Sequence, residues 1–160
     1  MTWTVRPYAA QDCAGCWQVF FDAVRGGTTD HYDQTQRDAW CAHVPEPTPA
    51  NCARLSDATT FVAHVGSTIV GFMSMEADGH LDMAFVAPAY MQRGVAAALH
   101  DNVLQSARKM HLYQMTTEAS HLARKFFARQ GWREIEAETV MRDGVPLERF
   151  RMDLKLEPTE

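Results

Sequence analysis

The run Phe85-Val86-Ala87-Pro88-Ala89-Tyr90-Met91-Gln92-Arg93-Gly94-Val95-Ala96-Ala97-Ala98-Leu99 constrains the fold more than any other segment. It reads as a strand ended by Pro88, a short turn containing Gly94, and a helix that starts at once. The N-terminus of a helix carries unpartnered backbone N–H groups and the positive end of the helix dipole, so it favours an anion. Gly94 and Ala96 put little side chain between a ligand and that backbone, and Arg93 adds a full positive charge. The segment therefore predicts a phosphate or pyrophosphate site on a strand–turn–helix unit. Neither the G-x-G-x-x-G of dinucleotide folds nor the P-loop pattern occurs here.

The rest of the chain supplies alternating units of the same kind. A strand is expected over residues 3–8. Asp12 then caps a helix with Cys16, Val19, Phe20, Ala23 and Val24 on one face, closed by Gly26-Gly27. A second helix is expected over 33–43, stopped by the proline-rich residues 45–49, with a short helical turn over 50–55. Strands follow at 60–65 and 68–76 about a Gly66-Ser67 hairpin, and at 80–86. A helix over 94–110, a strand over 112–118 and a helix capped by Ser120 and ended by Gly131 come next. Residues 132–141 and 145–154 form a hairpin around Asp143-Gly144. The order predicts a mixed α/β sheet flanked by helices, one domain over residues 1–160.

Bulk properties exclude some functions. A formal net charge of −5 argues against a nucleic-acid partner, which needs a basic face. No apolar run approaches the roughly 20 residues that span a bilayer, and the first residues lack the apolar stretch of a signal peptide, so no membrane contact and a cytoplasmic location are expected. Cys13-Ala14-Gly15-Cys16 has the spacing of a redox dithiol or of half a zinc site. No second ligand pair follows, and the flanking helix would bury the cysteines as small apolar residues. A thiol-redox or zinc module on Cys13 and Cys16 stands as one alternative function, and no metal is expected otherwise.

The phosphate-loop segment resembles the acyl-CoA-binding motif of the GNAT acetyltransferases. That motif runs Gln or Arg, two free positions, Gly, one free position, then Gly or Ala, after a strand ending V-x-P. Val86-Ala87-Pro88, Gly94 and Ala96 match it, and Met91 departs from it at the first position. Ser120-His121-Leu122-Ala123-Arg124-Lys125-Phe126-Phe127-Ala128-Arg129-Gln130-Gly131-Trp132 is similar to the family's second motif. Arg6-Pro7-Tyr8 and Ala39-Trp40 resemble the branch related to the bacterial protein YafP. The resemblance covers almost the whole chain. It implies a GNAT fold: about seven strands flanked by four helices, splayed between the fourth and fifth strands.

The resemblance also implies acetyl-CoA as cosubstrate and direct transfer of its acetyl group to the amine of a small molecule or peptide. The pantetheine is expected along the backbone of Ala84, Phe85 and Val86. The pyrophosphate is expected on Gln92, Arg93, Gly94, Val95, Ala96 and Ala97, with Ser120 and Phe127 facing the cofactor. Arg124 and Lys125 are further cations for its phosphates. His80 occupies the position of the family's general base, and an imidazole titrates near ~6.5, well placed for that role. Asp82, two residues on and so on the same face of a regular strand, is expected to support it, with Glu118 as a further base. Phe127 stands where many relatives have the tyrosine that acts as general acid, which leaves Tyr32, Tyr90 and Tyr113 for that role. The amine is expected against His31, Tyr32, Asp33 and Trp40, where aromatic rings and a carboxylate attract a cation. Met91, Phe127 and the lack of a glutamate on the fourth strand keep a second alternative, a non-catalytic acyl-CoA-binding or regulatory protein on this fold. The exposed edge of a splayed sheet suggests a homodimer.

Overall fold

Two runs rich in β-branched residues flank Gly66, whose φ of +58° suits a tight turn. They pair antiparallel as β2 (Thr59–Val65) and β3 (Thr68–Met75). In the computed structural model, which describes residues 2–157, these strands are the second and third of one seven-stranded sheet. Met1 and residues 158–160, the ends of the expected 1–160 span, lie outside the described residues. The remaining strands are β1 (Thr4–Pro7), β4 (His80–Val86), β5 (Gln114–Ala119), β6 (Arg133–Arg142) and β7 (Val145–Lys155), in the order β1-β2-β3-β4-β5-β7-β6.

Every neighbouring pair in the sheet is antiparallel except β4 and β5. Those two run parallel and pair only at His80↔Thr116 and Leu81↔Thr117, after which they part. This is the expected splay. A parallel connection needs a crossover, and α4 (Val95–Lys109) provides it. Val95, Leu99, Val103 and Ala107 recur at helical spacing and are buried in a core with Met73, Leu81 and Met115. α5 (His121–Arg129) joins that layer through Phe127. On the opposite face Cys16, Trp17 and Val19 of α1 (Cys13–Gly27) pack with Phe72, Met83 and Leu55.

Five α-helices occur among the described residues, where four were expected. The additional one is α3 (Pro49–Ser56), read from sequence as a short turn. Thr48 caps it by accepting from the Asn51 N–H, and Pro49 opens it, where a missing N–H costs nothing. α2 (Gln34–Trp40) is shorter than the expected 33–43, and Gly26-Gly27 belong to the last turn of α1 instead of following it.

Asp12 does not cap α1 with its side chain. Its buried carboxylate instead accepts from the Arg6 guanidinium at 2.7 and 2.8 Å and from the Ala9 N–H at 2.8 Å. The bond from Arg6 holds its carboxyl below the ordinary aspartate value. The stabilisation is therefore complete above about pH 4 and is lost as pH falls through the lower native value. Arg6→Ala leaves that carboxylate buried with one donor, and the expected loss is about 3 kcal/mol in urea unfolding at neutral pH. Asp12→Ala is expected to cost less, because the partly exposed guanidinium can hydrate.

The C-x-x-C reading is overturned by the cysteine pairing. Cys13 forms a disulfide with Cys52 of α3, not with Cys16. Cys16 is fully buried, and burial pushes its thiol up to about 12, so it supplies no thiolate near neutral pH. Among the described residues no group of three or more His, Cys, Asp or Glu side chains is arranged to hold a metal ion.

Candidate active site

Where β4 and β5 part, a cleft of about 640 Å³ opens and reaches the N-terminus of α4. One wall is the far half of β4, Ala84, Phe85 and Val86; another is Gln92 and residues 94–97. Gln92 (φ +60°) and Gly94 (φ +84°) are both left-handed, which folds the turn so that α4 begins directly from it. The first backbone bond closing α4 is Ala98 N–H to Gly94 C=O at 3.1 Å. Helix geometry leaves the N–H groups of Val95, Ala96 and Ala97 without intrahelical acceptors. No acidic residue lies in the first turn. The result is a turn with free N–H donors, a geometry that favours an anion, at the mouth of a largely apolar slot.

The third wall belongs to α5. Ser120 caps this helix, its Oγ accepting the Ala123 N–H at 3.2 Å, and it lines the cleft with Phe127. Phe127 is also buried in the core, so its ring floors the slot. Lys125 and Arg129, one turn apart, both line the cleft. Arg129 was not singled out from sequence, although its spacing from Lys125 is the usable signal. Arg124 is engaged elsewhere, over the Phe150 ring at 4.0 Å and beside Glu134. Arg93 departs from its expected role: it does not line the cleft, and its guanidinium lies over the Tyr90 ring at 5.5 Å.

His80 and Glu118 do not line the cleft; they sit where the splay begins. Met115 and Ala119 of β5 point into the α4-side core, so Thr116 and Glu118 face the α1 side. There His80 Nε2 meets Glu118 Oε2 at 2.8 Å, and Nδ1 meets Thr116 Oγ1 at 2.9 Å. Facing a carboxylate, Nε2 carries a hydrogen, and Nδ1 shares a hydrogen bond with the Thr116 hydroxyl. Among the described residues nothing hydrogen-bonds Oε1 of Glu118. Thr116 escaped the sequence reading because only strand pairing brings it beside His80.

Asp82 departs from its expected place beside His80. The β3–β4 register shifts at this point, and the Asp82 carboxylate is bound by Arg54 at 2.7 and 2.9 Å. Of the residues expected against the amine, His31 and Trp40 line the cleft, together with Asp30. Tyr32 does not: it is 4% exposed, its hydroxyl donates to the Glu148 carbonyl at 2.8 Å and accepts from the His121 N–H. Burial raises its pKa, so it is a structural tyrosine and no ready proton donor. Asp33 caps α2 through the Gln36 N–H. Tyr113 is 85% exposed and away from the cleft, whereas Tyr90 lines it at the α4 end. His121 went unnoticed in the sequence; it pairs with Glu148 at 2.8 Å and stacks on His31 at 5.3 Å.

A family model described as an acetyltransferase (GNAT) domain matches residues 28–154. The chain belongs to the GNAT acetyltransferase family. It is 30% identical over 151 residues to YafP of Escherichia coli, an uncharacterized N-acetyltransferase, covering 94% of this chain and 95% of that one. A GCN5-related N-acetyltransferase from Rhodopseudomonas palustris superposes with a TM-score of 0.89 at 31% identity, over 98% of this chain and 97% of the other. The fold also matches PaiA N-acetyltransferase of Thermoplasma acidophilum, solved with coenzyme A, at a TM-score of 0.77 and 14% identity, over 98% and 100% of the chains. YncA of Salmonella typhimurium, solved with acetyl-CoA, matches at 0.74 and 15%, over 98% and 95%. GNAT membership makes this chain an N-acetyltransferase by family. No helix among the described residues is long and apolar enough to cross a membrane.

Proposed function

We propose that the chain, as one domain, transfers the acetyl group of acetyl-CoA directly to the amine of a small molecule in the cytoplasm. The observation that carries this reading is the joining of the β4/β5 splay to the free N–H groups of α4 in one cleft. A pyrophosphate suits the Gly94–Ala97 cradle, with Lys125 and Arg129 as counter-charges, and an extended pantetheine suits the unpaired edge of Ala84–Val86. Bound there, acetyl-CoA would supply the activated acetyl group. The chain's own groups would orient it, take a proton from the amine and keep water out.

Glu118 is the better base of the pair, because Oε1 is free and the His80 ring has both nitrogens engaged. His80 would hold the Glu118 carboxylate in place, and the proton would move to Glu118 directly or through one water. Trp40, His31 and Asp30 bound the α1 side of the cleft, a combination suited to a cationic amine. A homodimer would pair through the free edge of β6, whose ten residues are almost all exposed; light scattering checks this. The cytoplasmic location sits beside a Cys13–Cys52 bridge of a type commoner in oxidising compartments.

The test is calorimetric titration with acetyl-CoA, CoA and NADH, followed by a screen of amines for acetylated product. Micromolar binding of the CoA species but not NADH, with turnover of an amine, is expected. Binding without turnover of any amine would favour the acyl-CoA-binding, non-catalytic alternative. No binding to either CoA species would defeat both.

A further inference from the structure

The pairing of β4 with β3 steps between Ser74 and Met75: Ser74 lies opposite Met83, Met75 opposite Leu81, and Asp82 is left without a partner. A bulge of this kind bends its strand and re-aims the side chains beyond it. Here it switches faces. Leu81 is buried in the α4-side core, while Met83, two residues on, is buried in the α1-side core. The bulge also separates the two working parts of the site, with His80 before it and Ala84–Val86 after it.

Asp82 points at neither part. Arg54 Nε and one terminal nitrogen donate to its two oxygens at 2.7 and 2.9 Å, a bidentate grip, and the guanidinium lies over the Trp17 ring at 5.7 Å. Arg54 rides on α3, which is anchored by fully buried Leu55 and by the Cys13–Cys52 bridge to α1. The grip therefore comes from a fixed body. Arg54 is 50% exposed, so the ion pair adds little to global stability. Its effect is local and falls on the bulge.

We propose that Arg54 is a positioning residue for acyl transfer: by gripping Asp82 it fixes the β4 bulge and hence the spacing between the His80–Glu118 pair and the Ala84–Val86 backbone. The inference rests on the transfer reading above. Neither Arg54 nor Asp82 touches the cleft, so each substrate should still bind when the grip is lost. What suffers is their alignment, and misplacement on the order of 1 Å can cost ~100-fold in rate.

The test compares Arg54→Gln, Asp82→Asn and the double variant with the parent protein. Arg54→Gln is expected to lower kcat about 10- to 100-fold with the KM for acetyl-CoA within about threefold, because orientation and not binding is lost. Asp82→Asn should match it, and the double variant should be no worse than either, since both remove one device. Backbone amide exchange in the ligand-free protein should quicken at residues 81–83 and not in the α4 core. An unchanged kcat, or a lower kcat accompanied by a raised KM and a lower melting temperature, would overturn the proposal. If the parent protein acetylates no amine, the transfer reading fails, and unchanged exchange at 81–83 in Arg54→Gln would separately overturn the grip.

Discussion

Gly94→Val is expected to weaken acetyl-CoA binding by two orders of magnitude or more while leaving the protein folded. Space is not the obstacle, for a Cβ at this position would meet only Trp3 at 3.7 Å. Conformation is. Gly94 sits at φ +84° immediately before α4, and a β-branched residue there carries roughly 1–3 kcal/mol of strain. The turn relieves that strain by rotating, which turns the N–H groups of residues 95–97 away from the cleft. Each charge-assisted bond lost to a phosphate is worth about 1.5–3 kcal/mol, so two of them account for a change on the order of 100-fold or more. Gly94→Ala should fall between, having the strain of a Cβ without the branching. Calorimetry gives the affinity and circular dichroism the fold. A valine variant that binds as tightly as the parent would mean that the cradle does not hold the phosphates.

Glu118→Gln is expected to lower kcat by about 10²- to 10⁴-fold, the range for removing a general base, with little change in acetyl-CoA affinity. His80→Ala should cost less, roughly tenfold, because it removes the group that orients the carboxylate and not the proton acceptor. The order of the two effects decides the assignment. If His80 accepts the proton itself, His80→Ala is the more damaging change. Two equal and negligible losses would mean that the amine gives up its proton to some other group. The contact behind the prediction is the 2.8 Å approach of His80 Nε2 to Glu118 Oε2, with Thr116 holding the far side of the ring.

How much of this was legible in the chain depends on the range over which each feature is decided. The strand–Pro88–Gly94–helix unit is local, and so are the Ser120 cap and the hairpins at Gly66 and Gly144; all occur as expected. The cradle residues Gln92 and Gly94 to Ala97 do line one cleft, because a turn and the helix it starts carry their own geometry. Arg93 was misread for a reason that sequence does not reveal. Its guanidinium had a choice between an open cleft and the Tyr90 ring, and proximity in the chain does not decide it.

Features that depend on meeting distant residues went differently. Cys13 finds Cys52, 39 residues away, in preference to Cys16 three residues on, because α3 packs across α1. Tyr32 looks like a surface aromatic on a polar stretch until its hydroxyl is seen between Glu148 and His121. Strand alternation suggests Asp82 as a partner for His80, but its carboxylate is taken by Arg54, which only the packing of α3 against α1 brings there.

The sequence by itself therefore determined the order of elements, the turn that starts α4 and the family, since each is written in contiguous residues with their own turns, caps and periodicity. Only the tertiary structure decided which titratable groups face one another. The His80–Glu118 pair and the Arg54–Asp82 grip join residues 38 and 28 positions apart. Both are brought together by sheet register and helix packing, which the burial of the whole core selects and no local pattern encodes.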